Sequence, residues 1–405
     1  MNKRSGKICI GLISLAVMLT ILLGFSPAAL ASDYTFTPID VPGAWGGTTT
    51  ATGINDFGNI VGNYFDGTLT HGFLYVNGNF TSIGVPGTFT APYGINNSGE
   101  IVGYTGNQRG FLYVNGNFTS ISVPGSTATQ AYGINNFGNI VGFYQDALGS
   151  HGFLYVNGNF TSIDALINIV GYYVSSASGI NDLGDIVGTY SDATGGHAFL
   201  YKNGNFTSID VPGATGTWPT GINNFGNIVG YYADTANQEH GFLYANGKFT
   251  LINVPGSPYT NAFGINDSGQ IVGGYNDATA HHGFLATPVA QPVPIDIKPG
   301  DDINSINLKS KGKIPVAILS TENFDALSQI ILTSLTFGRT GDEQSLAFCR
   351  GSEDVNKDGL QDLVCHFYTQ YTGFQYGDTV GILRGNTKDG TLIEGSDSVK
   401  IMPCK

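Results

Sequence analysis

Charge is the first thing this sequence is short of. Asp, Glu, Lys and Arg together make up 12% of its 405 residues, about half the usual ~25%. Basic residues are rarer still: residues 32–290 hold three, Arg109, Lys202 and Lys248, against fifteen acidic ones. A body so poor in Lys and Arg lacks the electrostatic footprint that nucleic acid or an anionic lipid surface requires. Methionine occurs three times and tryptophan twice. Of the four cysteines, Cys9 stands alone and Cys349, Cys365 and Cys404 fall in the last sixty or so residues, too few and too clustered for a disulfide-built scaffold along the whole chain. Only one long apolar run exists, at residues 8–25, so no membrane span is expected beyond it.

Glycine is what the chain has instead, 59 residues of it, with 25 Phe and 21 Tyr. Glycine without a three-residue period excludes collagen, and its density excludes a helical bundle. So many aromatic residues bury a core, which excludes disorder. The composition is that of a Gly-punctuated all-β protein.

The apolar run follows Lys3, Arg4 and Lys7 and ends at Ala29-Leu30-Ala31, an A-x-A site. Residues 1–31 therefore read as a signal peptide, cleaved after Ala31 or retained as an anchor, and the remainder as extracellular, secreted or held at the cell surface. The late cysteines fit an oxidising compartment. Cys349–Cys365 is the first choice of disulfide, with Cys404 left over, although three pairings are possible.

Six internal repeats dominate the chain. GIN followed by Asp or Asn begins at Gly53, Gly94, Gly133, Gly179, Gly221 and Gly264, and each copy continues through IVG, a His-Gly-Phe-Leu-Tyr-like segment and NG-x-FTSI to VPG. The two-residue Asn-Gly turn between β-rich runs is a strong hairpin signal. Four strands per repeat of about 42 residues describe a propeller blade. The sixth repeat lacks its fourth strand, and residues 36–43, FTPIDVPG, supply it. The expectation is a six-bladed β-propeller over residues 35–289 closed by its N-terminal strand, a linker at 290–294, and a small C-terminal β-rich domain over 295–405.

His197-Ala198-Phe199, with His-Gly-Phe at His71, His151, His240 and His282, resembles the extracellular repeats named for their His-Ala-Phe core. The resemblance spans about residues 35–287 and implies secretion and a propeller-like fold, with no activity to carry over.

If the GIN strand is innermost, the tight turns NDFG and NGN share one face and the long, variable connections share the other. Variable loops on a rigid scaffold are where binding sits. The segments after VPG on that face hold Trp45, Phe89, Tyr93, Tyr132, Trp218 and Tyr259, suited to stacking on sugar rings or packing on a partner protein, or else to wedging between blades. Asp66, Asp146, Asp192, Asp234 and Asp277 each precede a His by four to six residues, and the second repeat lacks both members. A loop-closing Asp–His hydrogen bond accounts for this more simply than a metal site. The paired Asn and Asp of the GIN segments read as turn residues, with a carboxamide ring around the channel as the alternative. Residues 164–178 form the longest connection and read as a partial duplication of the IVGYY strand.

In the C-terminal region Asp354, Asn356 and Asp358 alternate before Gly359 and are followed by Leu360 and Asp362. Oxygen ligands at this spacing match the start of a Ca2+ loop, with Leu360 ligating through its carbonyl and Glu353 or Asp342 as an added ligand. The twelfth position is Cys365 rather than Glu, so the loop resembles the DxNxDGxxD loops of dockerins, type 3 thrombospondin repeats and, most of all, integrin propeller blades. The segment also resembles a small β-rich domain at the ends of secreted microbial proteins. No G-x-S-x-G elbow, H-E-x-x-H motif or sialidase box occurs. The expected function is a non-catalytic module binding an extracellular glycan or protein. A secreted polysaccharide hydrolase or lyase and a structural envelope or matrix protein are the alternatives.

Overall fold

A computed structural model describes residues 34–164, 175–192, 195–301, 303–388 and 390–402. The expected signal segment, most of the 164–178 connection and Cys404 lie outside them. The protein is all-β: 56% of the chain is strand and 4% helix.

The first repeat shows how local sequence sets the pattern. Thr49–Ile54, Ile60–Phe65, Thr70–Val76 and Asn79–Ile83 pair in order as an antiparallel sheet. Between the last two, Asn77 (φ 47°) and Gly78 (φ 85°) form the left-handed pair that a type I′ turn demands. Between the first two, the Asn55 side-chain oxygen accepts from Phe57 N and Asn59 N at 3.1 and 3.0 Å, an Asx turn. The pattern recurs through the later repeats, and a single parallel bridge, Gly196 to Gly216, joins the sheets of the fourth and fifth. In the last repeat Tyr259–Ile265, Ile271–Asn276 and His281–Pro288 take their fourth strand from Tyr34–Ile39, with Tyr34 opposite Pro288 and Ile39 opposite Gly283.

Neighbouring sheets share their cores: Val61 of the first repeat packs with Ile95, Ile101 and Phe111 of the second. Phe73, Phe153, Phe199, Phe242 and Phe284, one from each His-Gly-Phe or His-Ala-Phe segment, are fully buried. The GIN glycines meet around the axis. A Cβ on Gly53 would stand 2.5 Å from Tyr93 O and 3.3 Å from Gly94 Cα, so glycine is required there by close approach of backbones.

Beyond Pro288, two further four-stranded sheets and a two-stranded one enclose one hydrophobic core that includes Ile297, Val316, Phe337, Phe367, Leu383 and Ile393. The expected linker is not a free spacer. Gln291–Pro292 pairs in parallel with Leu392–Ser398, Val293 N donates to Glu394 O at 2.9 Å, and Val293 is buried. Val293 joins the C-terminal core, which holds the segment down, while Pro292 and Pro294 stay exposed.

Candidate functional site

The six inner strands leave an opening at each end, and the two differ chemically. At the tight-turn end Ile, Asn and Asp side chains line the mouth. Two rings of hydrogen bonds close it. In the first, the side-chain amide of each GIN asparagine donates to the backbone carbonyl of its counterpart in the next repeat: Asn55 to Asn96, Asn96 to Asn135, Asn135 to Asn181, Asn181 to Asn223, Asn223 to Asn266 and Asn266 back to Asn55, at 3.0–3.2 Å. In the second, the following residue's backbone N–H donates to the next repeat's Asx oxygen, from Asp56 round to Asp267, at 2.8–3.0 Å. Turn formation thus occupies the asparagine oxygens while their amides clasp the neighbouring repeat. Burial, with Asp56 and Asp182 nearby, raises the Asp267 pKa above the usual carboxylate value. This end is not featureless, as repeated tight turns would imply: Phe57, Phe137, Leu183 and Phe225 stand 72, 73, 70 and 54% exposed at the turn tips.

The opposite mouth lies at the long-connection end and is lined by Thr52, Tyr93, Tyr132, Ser178, Thr220 and Phe263 beside the glycines and isoleucines of the inner strands. Tyr93 stacks on Tyr104 (5.6 Å) and meets Tyr132 edge-on (5.2 Å). Trp218 stacks on Tyr231 at 5.2 Å, and Tyr231 meets Phe263 at 6.2 Å. Phe89 packs on Tyr104 at 5.6 Å. The result is a cup of half-buried aromatic rings. Tyr93, Tyr132, Trp218 and Tyr259, read from the sequence as loop residues, lie instead in strands that start as early as Thr90, Ala128, Gly216 and Tyr259. Trp45 is apart from the cup, 65% exposed in a 3-10 turn and edge-on to Phe65 at 5.8 Å. Sequence reasoning missed Tyr104, Tyr231 and Phe263. Tyr104 and Tyr231 follow IVG at one equivalent position, and Phe263 precedes the GIN glycine, as Tyr93 and Tyr132 do.

Each loop histidine sits in a clip. Asp66 faces His71 at 2.8 Å, Asp146 faces His151 at 3.4 Å, Asp234 faces His240 at 3.2 Å and Asp277 faces His282 at 3.2 Å; the Asp192 side chain lies outside the described set. A carboxylate just past the outer strand reaches the imidazole Nδ1 in three repeats: Asp40 to His282, Asp164 to His151 and Asp210 to His197, at 2.9–3.1 Å. A Tyr ring lies over each imidazole, as Tyr144 over His151 at 5.0 Å. The Asp66 and Asp277 carboxylates also accept from the Thr68 and Thr279 hydroxyls and from the backbone of their own loops, which holds both pKa values far below the usual range, Asp277 at about 2. These groups close loops.

In the C-terminal region a disulfide (S–S 2.01 Å) joins Cys349 to Cys365 on paired strands. The acidic loop lies between them. Asp358 N donates to Asp354 Oδ1 at 3.0 Å and to Asn356 Oδ1 at 3.1 Å, which draws those oxygens together. Asp362 is fully buried and accepts from Val355 N and Ser320 N, each at 2.8 Å. Asp342 does not turn toward the loop and pairs with Arg384 at 2.6 Å. Among the described residues no three His, Cys, Asp or Glu side chains gather as ligands. No described helix is long and apolar enough to cross a membrane.

No protein-family model matches the chain, and no curated protein matches it in sequence. Among solved structures the chain is similar to a putative gluconolactonase (TM-score 0.41, 12% identity, 65% of this chain and 93% of that one). It is similar to TolB from Acinetobacter baumannii (TM-score 0.41, 8% identity, 58% and 65%). A fucose-specific lectin from Aleuria aurantia aligns with TM-score 0.35 and 12% identity over 51% of this chain and 77% of that one.

Proposed function

We propose that this chain is an exported, non-catalytic binding module: a six-bladed β-propeller that takes up an extracellular glycan or protein at its long-connection mouth, followed by a small β domain stapled by a disulfide and Ca2+. The aromatic cup of Tyr93, Tyr104, Tyr132, Trp218, Tyr231 and Phe263 carries the reading. Half-buried rings on a rigid ring of strands offer large apolar area at little entropic cost, and the tyrosines add polar tips. The carboxylates of the His–Asp clips are committed to closing their own loops, which favours binding over hydrolysis. Glycan arrays and pull-downs with Trp218→Ala, Tyr93→Ala and Trp45→Ala proteins test it. Binding falls in the first two and survives in the third; unaltered binding in both cup variants overturns this face.

The Asp354–Asn356–Asp358 oxygens, with the Leu360 carbonyl and Asp362, fit a hard cation that takes six to eight oxygens, the rest being water. Calcium at about a hundred times Kd stabilises such a region by roughly 2.7 kcal/mol. The unfolding midpoint then rises with Ca2+ and ceases to do so in Asp354→Ala; an identical rise in that variant rejects this loop as the site.

A further inference from the structure

Repeats place the same demands on equivalent positions, so a departure in one repeat is not required by the fold. Two departures adjoin at the cup. The residue before the His-Gly-Phe histidine is Thr70, Ser150, Gly196 or His281 in other repeats, with Gln108 at that place in the second, and Glu239 in the fifth is the one acid among them. The inner-strand position facing it from the next repeat is Asn261, where the fifth repeat itself has Trp218. The Asn261 amide donates to Glu239 Oε2 at 2.9 Å and to the Tyr259 hydroxyl at 2.7 Å. Asn261 is 3% exposed, and its Oδ1 is buried without a donor. Among the described residues no Lys, Arg or His is ion-paired with Glu239. Arg109 stands in the second repeat, three repeats round the ring.

The corner therefore presents the Glu239 carboxylate, an acceptor, beside Trp218 stacked on Tyr231, with the orphaned Asn261 amide oxygen enclosed behind it. Gly216 makes room for that indole: a Cβ there would lie 2.5 Å from it. Burial, and next the Glu239 charge, push Tyr231 up to about 12, so the phenol stays a neutral donor. A half-buried carboxylate without a cation is costly, and a ligand that brings a charged donor relieves it. Aromatic faces attract the same cation, and the acidic body raises its local concentration.

We propose that this corner selects an amino sugar with a free amine, its ammonium set against the Glu239 carboxylate and its pyranose ring against Trp218 and Tyr231. The proposal rests on the cup being the binding site. A glycan fits better than a lysine side chain because the rings spread around an opening made by six strands rather than closing as a narrow cage.

Calorimetric titration of the full chain with glucosamine oligomers, and with N-acetylated oligomers of equal length, at a pH that protonates the amine, tests it. The free-amine oligomer binds roughly ten-fold tighter or more, as expected for a hydrogen bond to a charged group. Glu239→Gln abolishes that preference while its unfolding midpoint stays at the wild-type value, and Trp218→Ala weakens both ligands. Equal affinity for the two oligomers, a preference that survives Glu239→Gln, or no binding of either overturns the amine assignment. In that last case, loss of some other glycan or protein on Trp218→Ala would still leave the cup as the binding face. A lysine-rich peptide that displaces the oligomer at equal concentration overturns the sugar in favour of a protein partner.

Discussion

The side-chain amide of Asn266 donates to the backbone carbonyl of Asn55 at 3.1 Å, across 211 residues of chain. It is one of six equivalent bonds, and the one that joins the last repeat to the first. Removing the amide strands a buried carbonyl and frees Gln270 N, which the Asn266 oxygen holds at 2.9 Å. Asn266→Ala should cost about 1–3 kcal/mol. Asn181→Ala, inside the array, should cost the same if the ring is closed. Urea unfolding of both variants measures this; a cost for Asn266→Ala clearly smaller than that for Asn181→Ala would mean an open array.

Gly142 has no room for a side chain. A Cβ would stand 2.0 Å from Gln130 O and 2.8 Å from the Phe153 ring. Gly142→Ala should therefore destabilise by about 3 kcal/mol or more. Gly158, in the Asn157-Gly158 turn, has open space and a φ of 88°. Gly158→Ala should cost only the left-handed penalty, roughly 1–2 kcal/mol. Thermal midpoints of the two variants check the contrast.

The Cys349–Cys365 bridge closes a loop with a sequence separation of 16, for which a loss of about 3 kcal/mol on removal is expected. Because the C-terminal core is separate from those of the repeats, a Cys349→Ser/Cys365→Ser protein should lower one calorimetric transition and leave the other in place. A uniform shift of all unfolding would show the two regions to be one cooperative unit.

Acid should weaken the loop clips in a defined window. Hydrogen bonds from Thr279 and Ala280 hold the folded Asp277 carboxyl at about 2, below an unfolded value near ~3.9. The folded state binds fewer protons there, so the contribution is complete above about pH 4 and is lost as pH falls toward 2. Asp66, Asp146 and Asp234 shift in the same direction. Unfolding midpoints between about pH 5 and 2 should fall less steeply in Asp277→Asn than in the parent; an unchanged slope would reject the clip.

The sheets were legible because their signals are local. Asn77-Gly78 announces its hairpin through two left-handed residues, and the order of strands follows from short connections. What escaped the sequence joins residues distant along the chain. Asp210 meets His197 only because an outer strand pairs beside it, and nothing in the spacing of the loop Asp and His residues marks that second carboxylate. Tyr93 and Trp218 follow loop-like VPG segments, yet pairing continues across the register shift before each GIN glycine, so Tyr93 sits at the shift and Trp218 pairs with Tyr231. Phe57 and Phe137 have core-type side chains, but their place at an Asx-turn tip points them into water.

The strand Tyr34–Ile39 also sets an order in time. Thr35 must find Thr287, 252 residues later, and at roughly 5–20 residues per second of synthesis that wait is on the order of tens of seconds. The first described strand is then the last of the repeat strands to find its partner. Until it docks, the growing array keeps a bare sheet edge at its advancing end, the condition under which strands pair with the wrong chain. A nascent chain stopped short of His281 would have no place to seat its own beginning, so interrupted synthesis should yield aggregates rather than a smaller ring.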